Sequence, residues 1–395
     1  VIKRTHAKVA RGLGGALLLA LMVTGPVLLL LSCRPVRPRR PVVLPPAPAT
    51  IDEPPLIAVH LARSHRALSA GCAGGGTWYG VSDGNRTLAT GGIGPWRLGA
   101  AGGRLALDDE PQPWTKMELH PASGPFRLGA RNYRGVLAIE AGPDGGLVAV
   151  NFVSPRDYLR GVVGSEMYQS WPLDALMAQA VAARTFMLYA LRDKGYMGPR
   201  DMAYRGTAAE SGSTDLAVEL TAGAILTYGS RILPAYFHST CGGHTAPVDK
   251  AFAEEPIPPL QGVPCEWCRQ SPTYEWQADI AGYRISQALR QKGAGPVRAI
   301  APVDAEPDGY ARYVDVNGVL RLGANAFRSS VGSGTLKSAR FRVEARDGRF
   351  LFQGNGHGHG VGLCQWGARG LAAAGRDWRE ILQYYYPGAV LSKIY

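Results

Sequence analysis

The chain carries little charge, 19% Asp, Glu, Lys and Arg against 46% hydrophobic residues. That balance is too apolar for a disordered protein, and 395 residues are enough to bury a sizeable core. No repeat of fixed period runs through the sequence, which excludes a solenoid or a propeller. No acidic residue occurs in the first fifty positions, whereas Lys3, Arg4, Lys8, Arg11, Arg34, Arg37, Arg39 and Arg40 all stand there. The remaining chain therefore holds 35 basic and 31 acidic residues, out of 43 and 31 in all. That is an ordinary surface, and the formal net charge of +12 is no sign of nucleic-acid binding. A mildly cationic body suits an anionic polymer. The glycine-rich clusters lack the strand-glycine-helix setting of a dinucleotide site, and no H-E-x-x-H set is present.

The N-terminal segment reads as an address. A basic stretch over residues 3–11 precedes a charge-free run from Gly12 to Leu31. Such a pairing is an export signal or a membrane anchor. The run ends in Leu30-Leu31-Ser32-Cys33, which resembles a bacterial lipoprotein box. Residues 34–55 hold eight prolines and form a stiff, extended spacer. The expected organisation is a signal or anchor over 1–33, a linker over 34–55 and a folded body over 56–395. The expected location is the cell envelope, as an exported protein held by an anchor or a lipid.

Short apolar runs alternate with glycine-rich turns through the first part of the body, as in turn-rich β structure. Strands are expected at Leu56–Leu61, at Gly135–Ile139 with Leu147–Val150, and at Ala224–Tyr228 with Arg231–His238. A further hairpin is expected at Asn317-Gly318. The best helix runs from Pro172 to about Lys194, with Gly195 past its end. Its apolar stripe is Leu173, Leu176, Met177, Ala180, Val181, Met187, Leu188 and Leu191. Arg184 falls on that stripe and calls for an acid or an anionic ligand, unless it snorkels to the edge. Shorter helices are expected at Ser213–Thr221 and Trp378–Tyr385. The fold class is α+β, with many short strands in turn-rich sheets around a long central helix.

Several segments together carry a family resemblance. They are Ser165-Glu166-Met167, Trp171-Pro172, Ala178-Gln179-Ala180-Val181-Ala182-Ala183-Arg184-Thr185, His238-Ser239-Thr240-Cys241-Gly242-Gly243-His244-Thr245, Gly358-His359-Gly360-Val361-Gly362-Leu363-Cys364-Gln365-Trp366-Gly367-Ala368 and Tyr385-Tyr386-Pro387-Gly388. In this order they resemble the SpoIID/LytB family of bacterial cell-wall proteins, over roughly residues 56–395. The resemblance implies a lytic transglycosylase that cuts peptidoglycan glycan strands, with Glu166 as the catalytic acid. Its alternative is a non-catalytic enhancer of a cell-wall amidase, and the presence of Glu166 in its motif favours the enzyme. The implied substrate groove includes Gln179, Arg184, Ser239, Thr240, His359 and Gln365.

The residue chemistry agrees with the implied acid. Met167, Tyr168 and Trp171 flank Glu166, and apolar neighbours raise a carboxyl's pKa toward the value a general acid needs. The plainer reading is an acid paired with Arg184 for structure, and such a pair would lower that pKa. No cofactor is required for the expected chemistry.

Cys241, Cys265, Cys268 and Cys364 could hold a tetrahedral structural zinc, with His238 and His244 as substitute ligands. Disulfides are the rival reading for an exported chain. A redox role lacks the thioredoxin-like setting. A zinc hydrolase built on His357 and His359 is the weakest reading. Some sporulation members bind zinc in a loop soon after the catalytic helix. Here that loop, Gly198–Ala203, contains no such ligand, so that site does not transfer.

Overall fold

The computed structural model describes residues 55–394 apart from positions 143 and 253. The expected signal or anchor, Cys33 and nearly all of the proline-rich linker lie outside the described residues. Among the described residues no helix is long and apolar enough to cross a membrane.

Residues 57–153 form two six-stranded antiparallel sheets. The first runs Ile57–Ser64, Leu147–Val153, Val136–Ala141, Lys116–Pro121, Gly76–Ser82, Asn85–Gly92 in spatial order. The second runs Arg131–Tyr133, Phe126–Leu128, Leu68–Cys72, Trp96–Ala101, Arg104–Leu107, Glu110–Pro111. Alternation along the strands decides which face is buried: Gly76, Trp78 and Gly80 point inward while their neighbours are half-buried. Side chains from both sheets share one core, in which Trp78 meets Trp96 edge-on at 6.0 Å. The expected hairpin over 135–150 is present, with Val136 opposite Phe152 and Ala141 opposite Leu147.

Among the described residues, eight α-helices follow this region: α1 Pro155–Glu166, α2 Leu173–Lys194, α3 Gly212–Leu220, α4 Val248–Phe252, α5 Gly282–Leu289, α6 Ala324–Val331, α7 Gln365–Ala373 and α8 Trp378–Tyr385. The expected helix from Pro172 is α2. Pro172 is its cap rather than its first helical residue, and Gly195 stops it in the left-handed conformation at φ 78°. The stripe read from the sequence understates its burial. Ala178, Gln179, Ala182 and Ala183 are also enclosed, so the middle of α2 is buried all round. Small alanines on the second face let neighbours approach closely, and α2 touches α1, α3, α7, α8 and the strand Ala224–Tyr228.

Helix α1 was not anticipated. Ser154 caps it by accepting the Asp157 N–H, and Pro155 opens it. Gly161 and Gly164 obscure the apolar period that would announce it.

The expected strand Arg231–His238 is broken into Arg231–Ile232 and Phe237–His238. Pro234 lacks the N–H a ladder needs. The first piece pairs antiparallel with Ala224–Tyr228. The second pairs parallel with Leu363–Cys364, placing Phe237 beside Leu363 and His238 beside Cys364. This short pairing lays the segment 238–241 along the start of α7. The Asn317-Gly318 hairpin joins Ala311–Val316 to Leu320–Gly323, both turn residues having positive φ.

Candidate active site

Glu166 is the last residue of α1, and Met167 after it is extended and buried. The half-buried carboxylate accepts the Ala203 N–H at 2.6 Å through Oε1. Its Oε2 lies 3.4 Å from Gln365 Nε2. Burial pushes the carboxyl above its ordinary range, against the lowering effects of Ala203, Gln365 and the Arg205 guanidinium. A helix C-terminus, where unpaired carbonyls leave partial negative charge, disfavours the carboxylate further. Among the described residues Glu166 makes no ion pair, and the nearby cation acting on it is Arg205, not Arg184.

Gln365 opens α7 and is 5% exposed; Gln179 lies in the middle of α2 and is fully buried. Gln365 Nε2 also reaches Gln179 Oε1 at 3.4 Å. Glu166, Gln365 and Gln179 thus form one contiguous polar chain drawn from three helices. The 203–205 loop is fastened to the end of α1 twice, by Ala203 N–H on Glu166 and by Arg205 N–H on Ser165 Oγ at 3.0 Å.

Beside this chain lies an aromatic surface. Tyr168, 65% exposed, packs against Trp171 at 5.4 Å between ring centroids. Trp171 meets Trp366 edge-on at 5.0 Å. The Arg369 guanidinium lies over both indoles, 5.2 Å from Trp366 and 6.0 Å from Trp171. The sequence reading used Tyr168 and Trp171 only as apolar neighbours of Glu166 and missed Trp366, Arg369, Ala203 and Arg205. The adjacency of Gln365 and Trp366 was the available signal for the first; nothing in the sequence marked the loop at 203–205.

The other anticipated groove residues are distributed around this centre. Ser239 is half-buried, and its carbonyl accepts the Trp366 N–H at 3.1 Å. Thr240 is buried and occupied: its backbone pairs with His357, and its hydroxyl lies 2.6 Å from Ser271 Oγ. The His359 ring packs against Phe252, His238 and Tyr236, with Nδ1 accepting the Val361 N–H. Burial pushes its pKa down to about 3, so the ring is neutral at physiological pH.

Arg184 does not join the group around Glu166. It is 1% exposed, and its terminal nitrogens donate to the carbonyls of Thr221 at 2.8 Å, Ala224 at 3.1 Å and Val218 at 3.1 Å. These carbonyls lie at and just beyond the C-terminal end of α3, where a cation is favoured. These bonds make Arg184 a brace between α2 and α3, whereas the sequence placed it in a sugar groove or against an acid.

The four second-half cysteines meet. The Sγ atoms of Cys241, Cys265, Cys268 and Cys364 all lie within 4.8 Å of one another, and none is in a disulfide. Neither substitute ligand joins them: His238 Nδ1 bonds the Val361 carbonyl and His244 Nδ1 the Thr245 carbonyl. His357 and His359 gather no third ligand among the described residues.

A cavity of about 590 Å³ is lined by Trp276, Asp308, Arg340, Gln353 and other residues, none of them from the group around Glu166. Glu166 is set instead beside an aromatic surface that reaches solvent at Tyr168.

A family model described as SpoIID, stage II sporulation protein, matches residues 143–228, the span that contains Glu166, Gln179 and Arg184. An uncharacterized protein of Brachyspira hyodysenteriae is 31% identical over 258 residues, covering 61% of this chain and 67% of that protein. Stage II sporulation protein D of Bacillus subtilis is 29% identical over 266 residues, covering 62% of this chain and 76% of that protein. The amidase enhancer of Bacillus subtilis is 25% identical over 290 residues, covering 59% of this chain but only 40% of that protein. On these matches the chain belongs to the SpoIID family.

Proposed function

We propose that this is a cell-wall protein that cleaves peptidoglycan glycan strands as a lytic transglycosylase, with Glu166 as its single acid and base. The observation that carries the reading is a carboxyl raised by burial, at a helix end, next to an aromatic surface suited to sugar rings. In the first half-reaction the Glu166 carboxyl gives its proton to the glycosidic oxygen as the C1–O bond breaks. In the second, the resulting carboxylate takes the proton of the same sugar's 6-hydroxyl, and O6 bonds to C1. The product is an anhydro sugar, no water is consumed, and no second carboxylate is needed, unlike most glycosidases. Gln365, tied to Gln179, orients the carboxyl, and Ala203 N–H and Arg205 favour its ionised form for the second step.

The sequence supports work outside the cytoplasm, with the body held at the envelope by the apolar N-terminal run, as an anchor or through a lipid on Cys33. The similarity to a protein named amidase enhancer favours one second reading, a non-catalytic glycan binder that activates an amidase.

The test incubates the full chain with purified peptidoglycan, intact and stripped of stem peptides, with Glu166→Gln alongside. Mass spectrometry should find products one water lighter than hydrolysis products, made by the wild type and absent from the variant. Hydrated ends would mean a hydrolase. Binding without cleavage on both substrates would favour the enhancer.

A further inference from the structure

Four sulfur atoms from three separate stretches of chain converge in the interior, far apart in sequence. Cys241 follows the short strand Phe237–His238, Cys265 and Cys268 share one loop, and Cys364 caps the N-terminus of α7. None is more than 4% exposed. Their mutual spacing fits a tetrahedral metal site. A tetrahedral zinc with sulfur ligands at about 2.3 Å places those ligands about 3.8 Å apart. Here all four lie within 4.8 Å, with Cys241 Sγ 3.5 Å from Cys268 Sγ. A disulfide needs its two sulfurs at about 2.0 Å.

The surroundings are built for thiolates. The N–H groups of Cys241 and Gly367 point at Cys364 Sγ, at 3.2 and 3.3 Å. The Tyr385 hydroxyl lies 3.1 Å from Cys265 Sγ. Such donors spread the charge that four thiolates leave around a divalent ion. The space is reserved as well: a Cβ on Gly367 would stand 2.8 Å from Cys265 Sγ and would collide with the Tyr385 hydroxyl.

We propose that Cys241, Cys265, Cys268 and Cys364 form a closed site for a structural zinc ion. Four protein ligands leave no open position for water, so the ion does no chemistry on a substrate. Loading it releases the protons of the thiols that bind, with no change of oxidation state. Its effect is mechanical, pinning the 238–241 segment and the C-x-x-C loop to the first turn of α7. Gln365, next to Cys364, is thereby held against Glu166. This last consequence rests on the reading of Glu166 given above; the metal site does not.

The test uses the full chain, produced with added zinc and purified under reducing conditions without chelator. Elemental analysis should find one zinc per chain in the wild type and in Cys72→Ser, whose cysteine is buried alone in the β-sheet core, and none in Cys268→Ser. Because Cys268→Ser could fail to fold, the wild type is also titrated with a mercurial thiol reagent and a zinc indicator. One zinc should be released as the four thiols react. Cobalt loaded in its place should show the strong visible absorption of a tetrahedral thiolate site. Metal-free protein with four alkylatable thiols, two disulfides found by peptide mapping, or iron in place of zinc would each overturn the assignment. Zinc-loaded protein that leaves glycan intact would keep the metal site and refute the glycan-cleaving reading alone.

Discussion

Gln365 Nε2 lies 3.4 Å from Glu166 Oε2, across 199 positions of sequence. The same nitrogen lies 3.4 Å from Gln179 Oε1, so the carboxyl at the end of α1 is oriented by a residue that is itself held from α2. A neutral amide can do this in both protonation states of the acid. An arginine in its place would fix the carboxylate and remove its proton.

The position of Glu166 sets a pH dependence that can be measured without substrate. Its folded pKa is raised by burial, so between the ordinary carboxylate value and the folded one the folded state binds more protons than the unfolded. Stability from this group is therefore full below the ordinary value and is lost as pH rises through the folded pKa. Glu166→Gln removes that loss. The variant should match the wild type in melting temperature near about pH 4 and exceed it near about pH 8. A variant that becomes relatively less stable as pH rises would show a carboxylate held charged for structure. Cleavage should fall at least about a hundredfold at every pH, the lower end of what a positioned acid contributes.

Much of this site was legible in the sequence, and what was missed has a physical cause. Helix α2 announced itself through its stripe, its proline cap and Gly195, all local signals. The four cysteines were legible as a cluster because their chemistry restricts what they can do. Arg184 was legible as buried but not in its partner: carbonyl groups at a helix end carry no mark in the side-chain alphabet. The contact from Ala203 was illegible for the same reason, since its backbone N–H is the donor. The break in the expected strand 231–238 could have been foreseen from Pro234. The parallel pairing of His238 with Cys364 could not, because it joins residues far apart in sequence.

Replacing Arg184 should damage the fold rather than the chemistry. Arg184→Leu fits the apolar surroundings but strips hydrogen bonds from the carbonyls of Val218, Thr221 and Ala224. Each buried acceptor left unpaired costs about 1–3 kcal/mol, so a total loss of about 3 kcal/mol or more is expected in urea unfolding. Arg184→Lys should recover only part, because an ammonium cannot fork between separate carbonyls. A leucine variant with wild-type stability and lost glycan binding would return Arg184 to the substrate groove.

The aromatic surface makes the last prediction, separating glycan binding from cleavage. Trp366 is held edge-on by Trp171 and covered by Arg369, so its ring is presented in one orientation beside Gln365. A sugar ring laid against it gains apolar contact without ordering a loose side chain. Trp366→Ala removes that contact and leaves Glu166, Gln179 and the four cysteines in place. Binding to insoluble peptidoglycan, measured by co-sedimentation with Glu166→Gln as background to prevent turnover, should weaken about fivefold, or ~1 kcal/mol. Tyr283→Ala, at an exposed aromatic on α5 outside this surface, should leave binding unchanged. Equal losses from both substitutions would mean that the glycan adheres to the protein without a defined groove. No loss from Trp366→Ala would move the sugar contacts to Tyr168 and the 203–205 loop.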